Sequence, residues 1–314
     1  MEIPMRTVLG LVTCLICVVS FAQDKTDWYP SKYGAEDTLG AINNLSEQGA
    51  VNAAKLVKTG KVYPLGVLTG WETPAYPPRT YSITILDGPG TGATQGASKT
   101  SGNDDLLVTW MGIGSQIDGL GHIGIDHVYY NGLKAEDFVG LTGLTELSVD
   151  KLPPIVTRGV LLDMTAYFGV DMLTEGTVFN SVEIQAQATA QGVKIGMGDV
   201  VLFHTGWISL TGVDNQRLMA GEPGLGVDGA AWLARQGVVA VGSDTWGLEV
   251  IPHEDANLAF PVHQELLTKN GVYILENMDT RELAKDEGWE FMFVLGQPRF
   301  EGSVQAVINP IAIR

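Results

Sequence analysis

The sequence predicts an α/β fold built on a mixed sheet, and two observations support this prediction. In the second half of the chain, short apolar runs typical of buried strands alternate with segments of helical composition. Proline and glycine are spread along all 314 residues, and no Ser/Gly-rich or charged linker separates two halves. No repeat of about 20 to 50 residues is visible, which argues against a solenoid or a propeller. We therefore expect a single domain.

The N-terminal segment has the pattern of a secretory signal peptide. Arg6 precedes an apolar run from Val8 to Val19, and Ser20 and Ala22 supply the small residues of a cleavage site. The run is short for a bilayer span, so cleavage after Ala22 is favoured over an uncleaved anchor. We expect the mature domain, 23–314, to be exported to the periplasm or the medium, without stable membrane anchoring.

Cysteine content and charge exclude several classes of function. Cys14 and Cys17 both lie in the predicted signal peptide, so the mature chain has no disulfide, thiolate ligand or cysteine nucleophile. The chain carries 36 acidic and 19 basic residues, a formal net charge of −17. Nucleic acids and anionic lipids are bound through Lys/Arg clusters, which this sequence lacks. We expect a small-molecule ligand and no nucleic-acid partner.

The first half of the domain begins with an amphipathic helix. Ser46 is a good N-cap residue, apolar residues follow it at near-helical spacing, and Gly60 ends the pattern, which predicts a helix over Ser46–Thr59. β-Branched and aromatic residues then alternate or run together, as they do in strands. These strands are predicted at Lys61–Leu68, Thr80–Leu86 and Leu106–Met111.

Two long loops lie between these strands. Trp71–Arg79 contains three prolines and cannot be regular structure. Such a stiff aromatic loop either lines a pocket or is a plain surface connection. Residues 87–104 are rich in Gly, Ser, Thr and Asp and have no apolar periodicity, which predicts a mobile loop and a candidate lid.

The second half alternates strands and helices. Segments of helical composition are predicted as helices at Ser181–Gln191, Val227–Gln236 and His263–Asn270. Apolar runs before, between and after them are predicted as strands at Val160–Met164, Val200–His204, Val238–Gly242, Val272–Leu275, Phe291–Leu295 and Val304–Ile308.

Residues 110–132 combine chemistry with conformational freedom and are predicted to form the active-site loop. Asp118 and His122 are four residues apart, and the five glycines from Gly112 to Gly124 lie among the bulky apolar residues around them. Glycine lets the backbone approach a ligand closely. Carboxylate and imidazole are the groups that divalent metals and proton transfers use.

Two further polar residues follow predicted core strands. His204 ends the run Val200–His204, and Asp244 comes directly after Val238–Gly242 and Ser243. Polar side chains at the carboxyl ends of α/β strands converge on the usual ligand crevice. Each of the two residues could instead cap a turn or satisfy a buried backbone group.

Five segments in fixed order resemble the cyclase-like metal-dependent hydrolases, the family of bacterial kynurenine formamidase and isatin hydrolase. The resemblance covers nearly all of 23–314. It implies a swivelling β/β/α fold, an oligomer of at least two subunits, and metal-assisted hydrolysis of an amide or lactam carbonyl. The segments are GAINNLS (40–46), SQIDGLGH (115–122), GDVVLFHTGW (198–207), VVAVGSDT (238–245) and HQELLTKNGVYILEN (263–277).

The family loop reads His-x-Gly-Thr-His-x-Asp-x-x-x-His, and this sequence departs from it at two positions. Asp118 and His122 match, whereas Gly112 and Gln116 stand where the family has histidine ligands. The resemblance further assigns His263 and Glu276 to ligand positions. It therefore implies a site of Gln116, Asp118, His263 and Glu276, with the number of metal ions left open.

The chemistry of these ligands indicates which metal ions and which catalytic residues to expect. An oxygen-rich site of this kind suits Mn²⁺ or Zn²⁺. A bound ion would lower the pKa of water and polarise the scissile carbonyl, while His122 moves a proton at the leaving group. His204 could replace a lost imidazole. We thus expect His122, His204 and Asp118 as catalytic residues.

The substrate is expected to be small and to carry a ring. Aromatic side chains lie near the predicted site elements and could form an apolar pocket, although core packing is the more frequent use of any one of them. Two alternatives from other classes remain open: a catalytically silent binding protein, and an acid–base lyase or dehydratase that uses His122 and His204. The predicted substrate-binding residues are Trp71, Tyr76, Tyr129, Trp207 and Asp244.

Overall fold

The computed structural model describes residues 28–86 and 92–314. The predicted signal peptide, 1–22, and the start of the predicted loop at 87–104 lie outside the described residues. Within the described ranges, no helix is both long and apolar enough to cross a bilayer.

The described chain alternates short strands with short helices. The helices are α1 (Glu47–Ala54), α2 (Ala135–Phe138), α3 (Met164–Phe168), α4 (Ser181–Ala190), α5 (Asn215–Ala220), α6 (Val227–Gln236), α7 (Pro261–His263) and α8 (Arg281–Lys285). The strands are β1 (Val62–Pro64), β2 (Tyr81–Ile85), β3 (Asp105–Thr109), β4 (Gln116–Asp118), β5 (Val139–Gly140), β6 (Gly143–Leu144), β7 (Ile155–Asp163), β8 (Val178–Phe179), β9 (Val200–His204), β10 (Gly224–Leu225), β11 (Ala240–Ser243), β12 (Tyr273–Glu276), β13 (Glu290–Leu295), β14 (Gln305–Val307) and β15 (Ile311–Ile313).

Nine strands form one mixed sheet in the order β1-β15-β13-β7-β9-β11-β12-β4-β14. The four central strands, β7, β9, β11 and β12, run parallel, and the flanking pairs are antiparallel. Parallel central strands need cover on both faces, and β9 and β11 are accordingly buried along their apolar residues. The predicted α/β class with a mixed sheet is confirmed.

Several predicted elements coincide with observed ones. β9 and α6 have the predicted bounds. Ser46 caps α1 as predicted, its Oγ accepting the Gly49 N–H at 3.0 Å, but the helix ends at Ala54 because the chain turns from Lys55 onward. The strand predicted at Val160–Met164 is longer, since β7 begins at Ile155, and Met164 already belongs to α3.

Two predictions were wrong in kind. Residues 110–132 are not one loop, because they contain the buried strand β4 between β12 and β14. The helix predicted at His263–Asn270 starts at Pro261 as α7 and continues as a π-helix over Gln264–Lys269. π-Helical turns are rare and often accompany functional sites, and this one follows His263 directly.

A two-stranded hairpin of β2 and β3 stands apart from the main sheet. Their register pairs Ile83 with Leu107, and Ile85 lies on the same face. All three apolar side chains are exposed: Ile83 by 50%, Leu107 by 52% and Ile85 by 54%. An isolated hairpin is only marginally stable in water, so this face is one that a neighbouring molecule would stabilise.

Candidate metal centre

Strand β4 brings the two polar residues of the central stretch onto one face of the sheet. Successive strand side chains point to opposite faces, so Gln116 and Asp118 lie on the same side of β4 and Ile117 on the other. The register places Glu276 of β12 opposite Gln116, and Gln305 of β14 opposite Asp118. Four polar side chains from three strands are therefore brought together in a buried position.

Three potential metal ligands converge beside this strand. One donor atom from each of Asp118, His122 and His263 lies within 4.8 Å of the other two. Asp118 Oδ2 is 4.0 Å from His122 Nε2 and 3.6 Å from His263 Nε2. Asp118 and His263 are almost fully buried, whereas His122 is partly exposed. The cluster therefore has one side that a small molecule can reach.

The donor set fits a divalent cation. Asp118 Oδ2 is buried and has no hydrogen-bond partner, although an unpaired buried carboxylate oxygen is costly. One carboxylate and two imidazoles are a donor set that Zn²⁺ and Mn²⁺ accept, and three protein ligands leave a position open for water or substrate. Asp118, His122 and His263 are thus the residues that would hold the ion.

Glu249 orients His263 from behind. Its Oε1 lies 2.5 Å from His263 Nδ1 and also accepts the His263 backbone N–H at 3.2 Å, while Oε2 accepts the Val262 N–H at 3.3 Å. Binding Nδ1 to a carboxylate leaves Nε2, which faces Asp118, as the ligand atom. This is the outer contact that metal-binding histidines usually make.

Several carboxyl groups are buried close together at the site. Burial raises the pKa of Asp118, but the charges of His122 and His263 outweigh it and hold the pKa at about 2. Burial and the charge of Asp118 raise the pKa of Glu276 to about 7. Burial likewise holds the pKa of Glu222 well above its usual value. A cation would relieve this crowding of carboxyl groups.

Gln116 and Gln305 bind the carboxylates through their amide nitrogens. Gln116 Nε2 donates to Glu276 Oε2 at 2.6 Å and to Asp118 Oδ1 at 3.2 Å. Gln305 Nε2 donates to Asp118 Oδ1 at 2.6 Å. Both amides therefore fix Oδ1 and leave Oδ2 for an ion. Gln116, predicted as an oxygen ligand, here presents its nitrogen to the site, and Glu276 lies 3.3 Å from His263 Nε2.

His204 lies on the other face of the sheet from these residues. Leu202, Leu275 and Ile117 share one face through the registered row β9-β11-β12-β4, and His204 follows Leu202 by two residues. Its Nδ1 contacts Thr280 Oγ1 at 2.7 Å and Asp244 Oδ2 at 3.3 Å. The structure therefore separates His204 from His122, with which it was predicted to share the chemistry.

The His204 side chain should make stability depend on pH. Burial alone lowers the pKa of His204, but the hydrogen bond and charge of Asp244, with Asp163 and Asp279, raise it above the ordinary 6.5. A raised folded-state pKa gives stability that is complete below the unfolded value and disappears as pH rises through the folded one. The free energy of unfolding of wild type should be higher than that of His204→Gln, and the difference should be largest at about pH 5.5. The difference should shrink by about pH 9 in denaturant titrations; a constant difference would contradict the assignment.

The predicted substrate-binding residues have different surroundings. Asp244 and Trp207 are fully buried, and Asp244 accepts the backbone N–H groups of Thr205 and Gly206, both at 2.8 Å. These two residues therefore have structural contacts. Tyr129 packs against Phe138 with ring centroids 5.2 Å apart.

The aromatic-proline loop divides its residues between two places. Trp71 is 80% exposed and lines a separate surface depression with Leu68 and Thr211. Tyr76 instead stacks on Trp246, with ring centroids 5.8 Å apart. Trp246 lies near the end of β12, because the neighbouring Thr245 carbonyl accepts the Asn277 N–H at 2.8 Å. Of the loop's two predicted residues, Tyr76 therefore lies toward the end of β12, and Trp71 lies at the separate depression.

Sequence reasoning missed three residues of the site. Glu249 and Gln305 contact His263 and Asp118 as described above, and the Arg79 guanidinium donates to the Gly112 carbonyl. No local pattern marks any of the three, because each reaches the site through contacts far apart in sequence. The sequence offers one signal for Glu249: it precedes His253 by four residues, the same spacing as Asp118 and His122.

Solved structures share this architecture. A crystal structure of a novel cyclase aligns with TM-score 0.82 and 29% identity, covering 91% of this chain and 99% of that one. Isatin hydrolase A from Ralstonia solanacearum aligns with TM-score 0.62 and 19% identity over 81% of this chain and 92% of that one. A potential metal-dependent hydrolase with cyclase activity aligns with TM-score 0.52 and 18% identity over 80% and 98%. At such low identities the last two likenesses establish the fold alone.

The family assignment comes from the sequence itself. No curated protein matches the chain. The model of the Cyclase family matches residues 45–250, more than half of the chain, and includes Asp118 and His122. The resemblance predicted from the ordered motifs is thereby confirmed, and the protein belongs to the Cyclase family.

Proposed function

We propose that the protein is a metal-dependent hydrolase that cleaves the carbonyl–nitrogen bond of a small, ring-bearing amide or lactam. The observation that carries this proposal is the buried, unpartnered Oδ2 of Asp118, facing the Nε2 atoms of two histidines. Family membership and the isatin hydrolase and metal-dependent hydrolase neighbours support it. Zn²⁺ or Mn²⁺ is the proposed cofactor.

The residues have distinct parts in the proposed reaction. Asp118, His122 and His263 hold the cation, which supplies water of lowered pKa and polarises the carbonyl when bound. Glu276, whose pKa of about 7 suits proton transfer near neutral pH, accepts the proton of the attacking water and returns it to the leaving nitrogen. The oxygen of water forms the new C–O bond as the C–N bond breaks. His122 was predicted to move this proton, and we now propose it as a ligand.

An acid–base lyase that pairs His122 with His204 has less support. The two side chains lie on opposite faces of the sheet, and His204 is engaged by Thr280 and Asp244. A silent binding protein would need no ligand set at all, whereas Asp118, His122 and His263 bring three donor atoms within 4.8 Å of one another, as a metal ion requires.

A comparison of His122→Gln with His127→Gln tests the function. His127 is exposed in the same segment, so its variant controls for changes to the loop. Chelator-stripped wild type should hydrolyse aryl amides, lactams or formamides only after Zn²⁺ or Mn²⁺ is returned. We expect His127→Gln to behave alike and His122→Gln to remain inactive. Full activity of the stripped protein, or the same activity in both variants, would refute the proposal.

We further propose that two copies of the chain associate through the exposed hairpin face of Ile83, Ile85 and Leu107. A twofold interface brings the same patch of both subunits together, which would cover the apolar hairpin that the monomer leaves in water. In analytical ultracentrifugation, the double variant Ile83→Asp/Leu107→Asp should therefore have half the molecular mass of wild type. Val213→Asp, at an 81% exposed site elsewhere, should leave the mass unchanged. A monomeric wild type would contradict the proposal.

A further inference from the structure

Arg79 is held at the site by a stiff turn. The Arg79 N–H donates to the Tyr76 carbonyl at 3.1 Å, which closes a turn with Pro77 and Pro78 at its centre. Proline fixes φ and removes two of the softest torsions in such a segment. Tyr76 and Arg79 are therefore presented together as one unit.

The guanidinium occupies space that only glycine leaves open at position 112. Arg79 Nη1 donates to the Gly112 carbonyl. A Cβ built on Gly112 would lie 2.6 Å from Nη1 and 2.8 Å from Cζ of Arg79, and 2.8 Å from Gln305 Oε1. Gln305 in turn holds Asp118 through its Nε2 at 2.6 Å. Gly112 and Gln305 therefore connect the Arg79 guanidinium to Asp118, a proposed metal ligand.

Within the described residues, Arg79 has no carboxylate partner, a property it shares with Arg235, Arg299 and Arg314. Arg158, Arg217 and Arg281 form ion pairs with carboxylates at 2.5, 2.8 and 2.7 Å. Within residues 28–86 and 92–314, no carboxylate oxygen lies within 4.0 Å of an Arg79 nitrogen. In a chain with 36 acidic residues, such a partly buried guanidinium retains N–H donors for a ligand.

An aromatic surface accompanies this cation. Tyr76, on the same turn, stacks on Trp246 with an interplanar angle of 31°. The Trp246 backbone N–H donates to Glu222 Oε2 at 2.7 Å, which fixes the position of this residue beside the site. A planar ring can lie against such a surface, while a guanidinium fork binds a carboxylate through two parallel hydrogen bonds.

We propose that Arg79 binds a carboxylate group of the substrate, so that the substrate class is a cyclic or aryl amide bearing a carboxylate on its ring. This inference rests on the proposed hydrolase function and names the substrate class of the same site. The competing explanation is structural: Arg79 would only brace the Gly112 segment and offset the charge of the buried carboxyl groups.

Benzoate and benzamide, which share a shape and differ in charge, separate the two explanations in the metal-free protein. Without the ion, no metal can bind the carboxylate, so any preference reports the protein's own groups. Tryptophan fluorescence should show wild type and Arg299→Gln, altered at an exposed arginine, binding benzoate at least about tenfold more tightly than benzamide. Arg79→Gln should lose this preference, and Arg79→Lys should retain part of it.

Binding of benzoate tests the role of Arg79 without any hydrolysis of a substrate. An unchanged preference in Arg79→Gln, or no preference in wild type, overturns the assignment of Arg79. Glutamine can still donate to the Gly112 carbonyl, and an unchanged thermal midpoint and Zn²⁺ affinity of Arg79→Gln will show that the loss is not structural. Failure of the hydrolase proposal would appear elsewhere, as absent Zn²⁺- or Mn²⁺-dependent turnover.

Discussion

Asp118→Asn should abolish metal binding and lower kcat/KM at least about 1,000-fold, which corresponds to about 4 kcal/mol of transition-state stabilisation. The substitution keeps the shape of the side chain, so the Oδ1 contacts with Gln116 and Gln305 can persist. It removes the negative charge of the buried carboxylate whose Oδ2 has no hydrogen-bond partner. A neutral amide oxygen is a much weaker ligand for Zn²⁺ or Mn²⁺ than a carboxylate.

Two readouts check this expectation for Asp118→Asn. Wild type should gain about 2.7 kcal/mol of stability at free metal 100 times its Kd, because the ion binds only the folded state. Asp118→Asn should gain none. Asp126→Asn, the same change at an exposed position of the same segment, should resemble wild type in stability gain and activity. Metal-dependent stabilisation of Asp118→Asn equal to that of wild type would show that Asp118 is no ligand.

Glu249→Gln should weaken metal binding by about 10- to 100-fold while the protein stays folded. The Glu249 carboxylate accepts from His263 Nδ1 and from the backbone N–H groups of Val262 and His263. A glutamine keeps one acceptor oxygen but presents N–H groups where the second was. His263 then loses the contact that directs its Nε2 toward Asp118, and the ion is held less firmly.

Isothermal titration with Zn²⁺ measures the effect of Glu249→Gln directly. Glu254→Gln provides the matched control, because Glu254 lies five residues further on, where it binds Asn180 and the Val227 N–H instead of a site residue. We expect its affinity to equal that of wild type. An unaltered Zn²⁺ affinity in Glu249→Gln would mean that His263 is oriented by its packing in α7 rather than by the carboxylate.

The sequence predicted best those elements that rest on local pattern. An uninterrupted apolar run marks β9 as a buried central strand, and α6 has both a regular apolar stripe and a terminal Gly237 in the left-handed conformation. Strand β4 has only three residues among many glycines, so it resembles a loop. Its pairing with β12 and β14, more than 150 residues further along the chain, makes it a strand.

The site shows the same division between local pattern and long-range contact. Asp118, His122 and His263 belong to recognisable motifs and are brought together. Which partner each one has depends on register, and no motif predicts that Gln305 faces Asp118. His204 is well placed at a strand end, but the alternation of side chains along β9 turns it to the opposite face. One residue of register thus decides whether a polar strand end joins the site.

Anomalous diffraction from crystals soaked in Zn²⁺ or Mn²⁺ would test most directly whether this chain holds an ion at the proposed ligands. We expect a single peak with bonds of about 2.0 to 2.2 Å to Asp118 Oδ2, His122 Nε2 and His263 Nε2. Such a peak should be absent from Asp118→Asn crystals soaked in the same way. A peak elsewhere, for example beside His204, or no peak with either metal, would contradict the metal-dependent mechanism.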